Sequence, residues 1–145
     1  MSKLSESLLE LLSEHGMNQK SLAAQIGISE SRITDYIRNE KLPTVENAIK
    51  LADYFHCSID FLFGRKYEKD FKNVHVPEDF SKRIVYLKSL SNSKMMDKEI
   101  YEGAKITKSC YYDWLKGRRQ PSLDNVIKLA DFLGCSIDFV LGREI

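Results

Sequence analysis

The sequence of 145 residues has few of the residues that build disulfide frameworks or metal sites, with only three cysteines and three histidines. The cysteines are odd in number, and no histidine stands at a metal-ligand spacing from them. Cys57 and Cys135 each have a large apolar residue two positions away on either side, and in such a setting a thiol usually serves as a small core residue. We therefore predict no disulfide framework, no metal site and a buried position for both cysteines.

Long apolar runs are absent as well. No run approaches the roughly eighteen residues of a membrane span. The segment MSKLSESLLELL has a polar, helical rhythm rather than the apolar core of a secretory signal. These features predict a cytoplasmic protein with no membrane partner.

The chain also lacks the short motifs that carry catalysis or cofactor binding. It has no glycine loop for phosphates, no nucleophile motif and no histidine paired with a carboxylate at a useful spacing. We predict that the protein is not an enzyme, needs no cofactor and has no evident small-molecule ligand.

The net charge is small, at +1, but it is unevenly distributed along the chain. Residues 1–65 hold seven basic and nine acidic side chains, and residues 80–145 hold twelve and eight. The first segment is thus −2 and the second +4, so a polyanion is expected to favour the second.

A long repeat explains why the chain divides in this way. The stretch LADYFHCSIDFLFGR at Leu51–Arg65 returns as LADFLGCSIDFVLGR at Leu129–Arg143, 78 positions later, with ten of fifteen letters identical. Such self-similarity makes the repeat the unit of the fold. We predict one domain over residues 1–65, a charged linker over 66–79 and a second, divergent domain over 80–145.

Each repeat reads as five short helices without a strand. Leucines at positions 4, 8, 11 and 12 recur at helical spacing and predict a first helix. Four further helices are predicted to begin after the capping residues Asn18, Ser29, Thr44 and Ser58. The second unit repeats the plan from Pro77, and the two units align without a gap, so that Leu87 and Leu90 match Leu9 and Leu12.

The stretch NQKSLAAQIGISESRITDYIRNEKLPTVENAIKLADYF carries a family pattern. It resembles the Xre and phage-repressor class of helix-turn-helix DNA-binding domains, which is lambda repressor-like. The resemblance covers Ser5 to Arg65 and, more weakly, Phe80 to Arg143, and it implies an all-α protein of two tandem five-helix domains. The matching features are Gln19, the small Ala23 at the helix crossing, the turn Gly27, the groove helix from Glu30 to Arg38, and Pro43.

The resemblance implies DNA-contacting positions in the first unit. Base-reading positions fall on Glu30, Ser31 and Asp35, although Glu30 and Asp35 can also be read as a solvated face that contacts nothing. The implied contacts in this unit are Gln19 to phosphate, with Glu30, Ser31, Arg32, Thr34, Asp35 and Arg38 on the groove helix.

The second unit departs from the family pattern but gains positive charge. Asp97, Tyr101 and Lys105 replace the glutamine, the alanine and the turn glycine, and Tyr101 is expected to wedge the two helices apart or turn outward. Spacing places Tyr111 and Trp114 in the core, whereas Cys110 is expected to be partly exposed. The candidate DNA contacts here are Lys108, Ser109, Tyr112, Lys116, Arg118 and Arg119.

Two functions remain open at this point. The favoured one is a sequence-specific regulator of transcription, most simply a repressor, whose partner is double-stranded DNA. The alternative is a protein-interaction module on the same scaffold, such as an antitoxin-like or adaptor component. For DNA binding, the units can act as an intrachain pseudo-dimer or as arms of a homodimer. The linker spans roughly 46–50 Å when extended, which exceeds the half-site separation of about 34–36 Å.

Overall fold

The computed structural model describes residues 3–65, 79–90 and 95–143. The chain forms two compact units, Met1–Lys72 and Asn73–Ile145. Within the described residues all regular structure is α-helical, with ten helices. The predicted linker lies outside the described residues except for Asp79, and so does Pro77. No helix in the described ranges combines the length and apolar character that crossing a membrane requires.

The first unit contains the five predicted helices. Each of α2 to α5 begins after a residue whose side chain accepts a hydrogen bond from a backbone N–H of the first turn, which stabilises the helix end. The helices are α1 Leu4–Glu14, α2 Gln19–Ile26, α3 Glu30–Ile37, α4 Val45–Phe55 and α5 Ile59–Leu62.

The second unit repeats this order. Side-chain caps recur at Thr107, Ser122 and Ser136, in the places of Ser29, Thr44 and Ser58. The helices are α6 Phe80–Ser89, α7 Asp97–Gly103, α8 Lys108–Leu115, α9 Leu123–Leu133 and α10 Ile137–Leu141. The prediction of an all-α protein with two five-helix domains is confirmed.

Each unit has its own apolar core. The repeated segment predicts core positions at Ile59 and Ile137 and at Phe61 and Phe139 or their neighbours. Ile59 and Ile137 are fully buried, and of the second set the neighbours Leu62 and Val140 are fully buried while the two phenylalanines are half-buried. Corresponding core positions are Leu8, Leu22, Ile33, Leu51 and Ile59 in the first unit, and Ile84, Ile100, Tyr111, Leu129 and Ile137 in the second.

The prediction of a gapless alignment is wrong at the first helix of the repeat. Leu87 is buried whereas Leu9 is 50% exposed, and Leu90 is 48% exposed whereas Leu12 is buried. The buried face of α6 at residues 80, 84 and 87 instead matches that of α1 at residues 4, 8 and 11, an offset of 76. The segment between α6 and α7, residues 90–96, is longer than residues 15–18 between α1 and α2, which allows the shift.

Hydrogen bonds support the shifted alignment. The Ser7 hydroxyl donates to the Phe61 carbonyl oxygen at 3.3 Å, and Arg83 Nε donates to the Phe139 carbonyl oxygen at 3.1 Å. Ser7 and Arg83 are 76 positions apart, so equivalent turns of α1 and α6 bind equivalent carbonyls. The Arg83 guanidinium also lies 4.8 Å from the centre of the Phe139 ring.

A buried ion pair lies inside the repeated fifteen residues. Asp138 and Arg143 are both fully buried and joined through Oδ1 and Nη1, and the Arg143 N–H donates to the Asp138 carbonyl oxygen at 2.8 Å. Asp60 and Arg65 form the same pair in the first unit, where the Arg65 side chain is 18% exposed. Each copy of the repeat therefore has an ion pair between its last helix and the segment that follows that helix. This pair was not predicted from the sequence.

The three cysteines differ in burial. Cys57 is fully buried as predicted, but Cys135 is only half-buried. Cys110, which we expected to be partly exposed, is buried, and its sulfur lies 3.6 Å from Asn125 Nδ2. The first turn of α8 therefore faces the core at Cys110, on the same side as the buried Tyr111 and Trp114.

Candidate nucleic-acid interface

The first helix-turn-helix consists of α2, the turn at Gly27 and α3. Asn18 and Ser21 form a reciprocal capping box at the start of α2, with Asn18 Oδ1 accepting from the Ser21 N–H at 2.8 Å. Gly27 has φ +71, a left-handed conformation that a residue with a Cβ adopts only at a cost. Its N–H donates to the Ala23 carbonyl oxygen at 3.0 Å, which closes α2 before α3 begins.

The outer face of α3 presents the predicted contact residues. Its inner face is formed by Ile33 and Tyr36, which are buried. Thr34 and Asp35 are half-buried at the edge of this face. The exposed positions are Glu30, Ser31, Arg32 and Arg38. One helix edge of the first unit thus carries both acidic and basic side chains toward solvent.

Gln19 is held in place by α3. The Thr34 hydroxyl lies 2.8 Å from Gln19 Oε1 and 3.0 Å from the Glu30 carbonyl oxygen, so its one proton is shared between these two acceptors. A glutamine amide has one oxygen acceptor and an NH2 group with two donors. With the oxygen turned to Thr34, the NH2 group is the part suited to a phosphate oxygen. The two sequence-predicted residues Gln19 and Thr34 are therefore brought together.

Helices α3 and α8 each have an aspartate that pairs with a basic residue of the following loop. Asp35 lies 3.9 Å from Lys41 Nζ, and Asp113 lies 3.7 Å from Arg119 Nη2. The two pairs occupy equivalent positions. Each basic side chain offsets part of the negative charge of its aspartate. Lys41 was not identified from the sequence as the partner of Asp35.

The second helix-turn-helix keeps its turn without glycine. Lys105 has φ +60, and the Ile106 N–H donates to the Tyr101 carbonyl oxygen at 2.8 Å. The half-buried Tyr101 ring packs against α8, with its centre 5.7 Å from Tyr111 and 6.3 Å from Tyr112. The expectation that the Tyr101 side chain turns outward is therefore wrong.

In the second unit, Asp97 occupies the position of Gln19 and is the centre of a polar network. Asp97 Oδ1 accepts from Lys88 Nζ at 2.9 Å and from the Tyr111 hydroxyl at 2.8 Å, which links α6, α7 and α8. The hydrogen bond from Lys88 holds the pKa of Asp97 below its usual value, against the opposing effect of partial burial. Burial, followed by the bond to Asp97, raises the pKa of Tyr111, so its hydroxyl remains a donor.

Replacing Asp97 by asparagine is expected to destabilise the second unit by about 1 kcal/mol at neutral pH, because a charge-assisted network is removed at a partly exposed site. A depressed folded-state pKa contributes stability above the unfolded-state pKa and loses it as pH falls through the folded-state value. The difference between wild type and variant should therefore vanish in acid. Urea unfolding from neutral pH to below the ordinary aspartate pKa measures it.

Glu99→Gln is the matched control, since Glu99 is exposed in the same first turn of α7. It keeps the network while removing one carboxylate near the helix N-terminus. If both variants lose the same unfolding free energy at every pH, Asp97 acts through the helix end and not through Lys88 and Tyr111.

Basic side chains cluster around α8 and the loop that follows it. Lys108, Lys116, Arg118 and Arg119 are exposed, as is Ser109, while Tyr112 is half-buried. Within the described residues, no carboxylate lies at ion-pair distance from Arg118, whereas Arg119 is paired with Asp113. Tyr111 and Trp114 are fully buried, as predicted.

Comparisons with known proteins agree with this geometry. A helix-turn-helix family model matches twice, at residues 8–62 and 87–140, together more than half of the chain. A curated relative, the cryptic phage CTXphi transcriptional repressor RstR of Vibrio cholerae serotype O1, is 40% identical over 63 residues. That match covers 43% of this chain and 56% of the relative. No solved structure gives a significant match.

Proposed function

Because the chain belongs to the helix-turn-helix family of Xre and lambda-repressor type, twice over, we propose that it binds double-stranded DNA sequence-specifically and represses transcription. The observation that carries the proposal is the exposed outer face of α3, held by a capped α2 and a left-handed Gly27. A protruding helix of this kind fits the major groove, which is about 12 Å wide.

The two units are proposed to divide the work. The first unit has the glycine turn and a Gln19 amide held for phosphate, but the net charge of −2 over residues 1–65 gives little attraction for DNA. Residues 80–145 of the second unit carry a net charge of +4, and their exposed basic side chains surround α8. Phosphate contacts supply affinity and base contacts supply specificity. We therefore propose that the first unit recognises the base sequence and that the second unit supplies most of the affinity for the phosphate backbone.

Two assemblies fit this proposal. Both units of one chain can contact neighbouring half-sites, or two chains can each contribute a reading unit. A footprint covering two half-sites per chain supports the intrachain pseudo-dimer, and one half-site per chain supports the homodimer.

A protein-interaction module is the second candidate, and the acidic first unit favours it. Glu30 lies on the exposed outer face of α3, where phosphate would repel it. DNA affinity that is absent, or insensitive to salt, would support this alternative, because counterion release makes DNA binding depend on salt.

Single substitutions distinguish the unit that recognises bases from the unit that binds phosphates. Arg118→Ala is expected to weaken binding to all sequences and to lower the salt slope by about 0.9, because the variant neutralises one phosphate fewer. Arg119→Ala should act in the same direction but less, because Arg119 also pairs with Asp113. Ser31→Ala should cost about 1–3 kcal/mol by removing a base contact, and it should relax preference at particular base pairs with little change in slope.

Lys128→Ala is the control for the loss of one charge, since Lys128 pairs with Asp124 on α9. Binding to pooled DNA fragments at several salt concentrations, followed by sequencing of the bound fraction, measures both quantities. The roles are reversed if Arg118→Ala alters base preference and Ser31→Ala does not.

A further inference from the structure

A cavity of about 210 Å³ lies in the second unit, between α6, α9 and α10. The cavity is open to solvent on one side. Among the described residues its side chains are apolar apart from one thiol, and none is charged; they are Leu87, Leu90, Met95, Phe132, Leu133, Cys135 and Phe139. Enclosed engineered cavities of about 150 Å³ with Leu, Ile and Phe walls bind benzene, and the present cavity offers a comparable volume. The cavity is therefore large enough for one or two aromatic rings.

In the first unit, side chains at the corresponding place contact one another. Phe55, at the position of Leu133, packs edge-on against His15 at 5.1 Å between ring centres, and the Tyr54 hydroxyl contacts Met17 Sδ at 3.4 Å. Cys57 is fully buried there. In the second unit the smaller Leu133 and the shifted α6 leave Cys135 half-buried. The cavity thus follows from two specific departures from the repeat.

One side chain that lines the cavity also contacts the helix-turn-helix of the second unit. Phe132, one wall of the cavity, packs on Gly103 at the end of α7, where a Cβ would lie only 2.2 Å from the ring. Gly103 precedes the left-handed Lys105 by two residues. A ligand that moves the Phe132 ring must therefore change its contact with α7.

We propose that this cavity binds an uncharged, apolar small molecule of one or two rings, and that its occupancy alters DNA affinity through Phe132 and Gly103. The coupling rests on the proposed DNA-binding function, whereas binding itself does not. The sequence alone showed no ligand site, because the cavity arises from the packing of three helices.

Indole tests binding without DNA. Alkylation of Cys135, followed by mass spectrometry of the intact chain and its peptides, is expected to slow about tenfold at an indole concentration ten times the dissociation constant. Indole-3-carboxylate, which adds a charge to the same rings, should give no protection. Leu133→Phe places the residue of the first unit in the cavity and should abolish protection by indole.

Trp114 fluorescence checks that Leu133→Phe is folded. If it is not, Cys135→Leu fills the cavity from another wall, and calorimetric titration with indole replaces alkylation. Persistent indole binding in the filled variant, or equal protection by indole-3-carboxylate, would overturn the site. Protection that rises with protein concentration but not with indole would show that a second copy of the chain covers the cavity instead.

The coupling is tested by DNA affinity with and without saturating indole. We expect a change of at least about fivefold in the wild type, the lower end of measured allosteric couplings, and none in Leu133→Phe. Indole protection with unchanged DNA affinity would overturn the coupling. Absence of DNA binding in all samples would contradict the proposed function and leave the indole result to stand by itself.

Discussion

Replacement of Asp138 by alanine is expected to destabilise the second unit by about 3–5 kcal/mol, because it leaves the charge of Arg143 buried without its carboxylate. Both side chains are fully buried. The backbone bond from Arg143 to Asp138 does not involve the carboxylate and should remain in the variant, so the loss is assigned to the side-chain pair. A loss of this size can exceed half of the stability of a small domain.

Trp114 makes this measurable, since it is the one tryptophan of the chain and lies in the core of the second unit. Its fluorescence during urea unfolding follows that unit. Asp124→Ala is the matched control, because it removes the same side chain from an exposed pair with Lys128 and should cost about 0.3–0.5 kcal/mol. Equal losses in the two variants would mean that the buried pair does not stabilise the fold.

Truncation of Ile59 to alanine is expected to destabilise the first unit by about 2–5 kcal/mol. Ile59 is fully buried at the start of α5, which packs against α1 and α4. A fully buried side chain loses both its transfer free energy and its packing contacts when it is shortened, and a tightly packed core closes the space only in part.

Circular dichroism during thermal unfolding follows this variant, and Trp114 fluorescence shows whether the second unit is affected. Leu9→Ala is the control, since Leu9 is half exposed on α1 and its truncation should change stability by no more than about 0.5 kcal/mol. An Ile59→Ala protein with wild-type thermal stability would contradict the assignment of this position to the core.

Local patterns determined the helices of this protein, because they depend on neighbours in the chain. Asn18, Ser29, Thr44 and Ser58 cap helices as predicted, since a cap acts on the N–H groups two or three residues away. The repeat revealed two units, because the same local signals occurred twice. The family pattern around Gly27 likewise indicated the first helix-turn-helix, since its turn conformation is a property of one residue.

Contacts between distant residues were decided only by the tertiary structure. The prediction extended the offset of 78 from the later helices to α6, but burial and the bond from Arg83 to Phe139 follow an offset of 76. Helix rotation depends on which face meets the core, and a longer segment before α7 allowed a different face to do so. Identity of letters does not report this rotation.

The site shows the same limit. The family resemblance predicted that α3 and α8 carry the candidate contact residues, and helical spacing predicted that each of these helices has an apolar face and a polar face. It did not reveal that Asp97 is bound by Lys88 and Tyr111, nor that Asp138 meets Arg143 in the core. The Asp97 network and the cavity beside Leu133 result from three-dimensional packing of separate elements, which no local pattern encodes. Asp138 and Arg143 are only five residues apart, but the burial of their pair depends on how the end of α10 packs in the core.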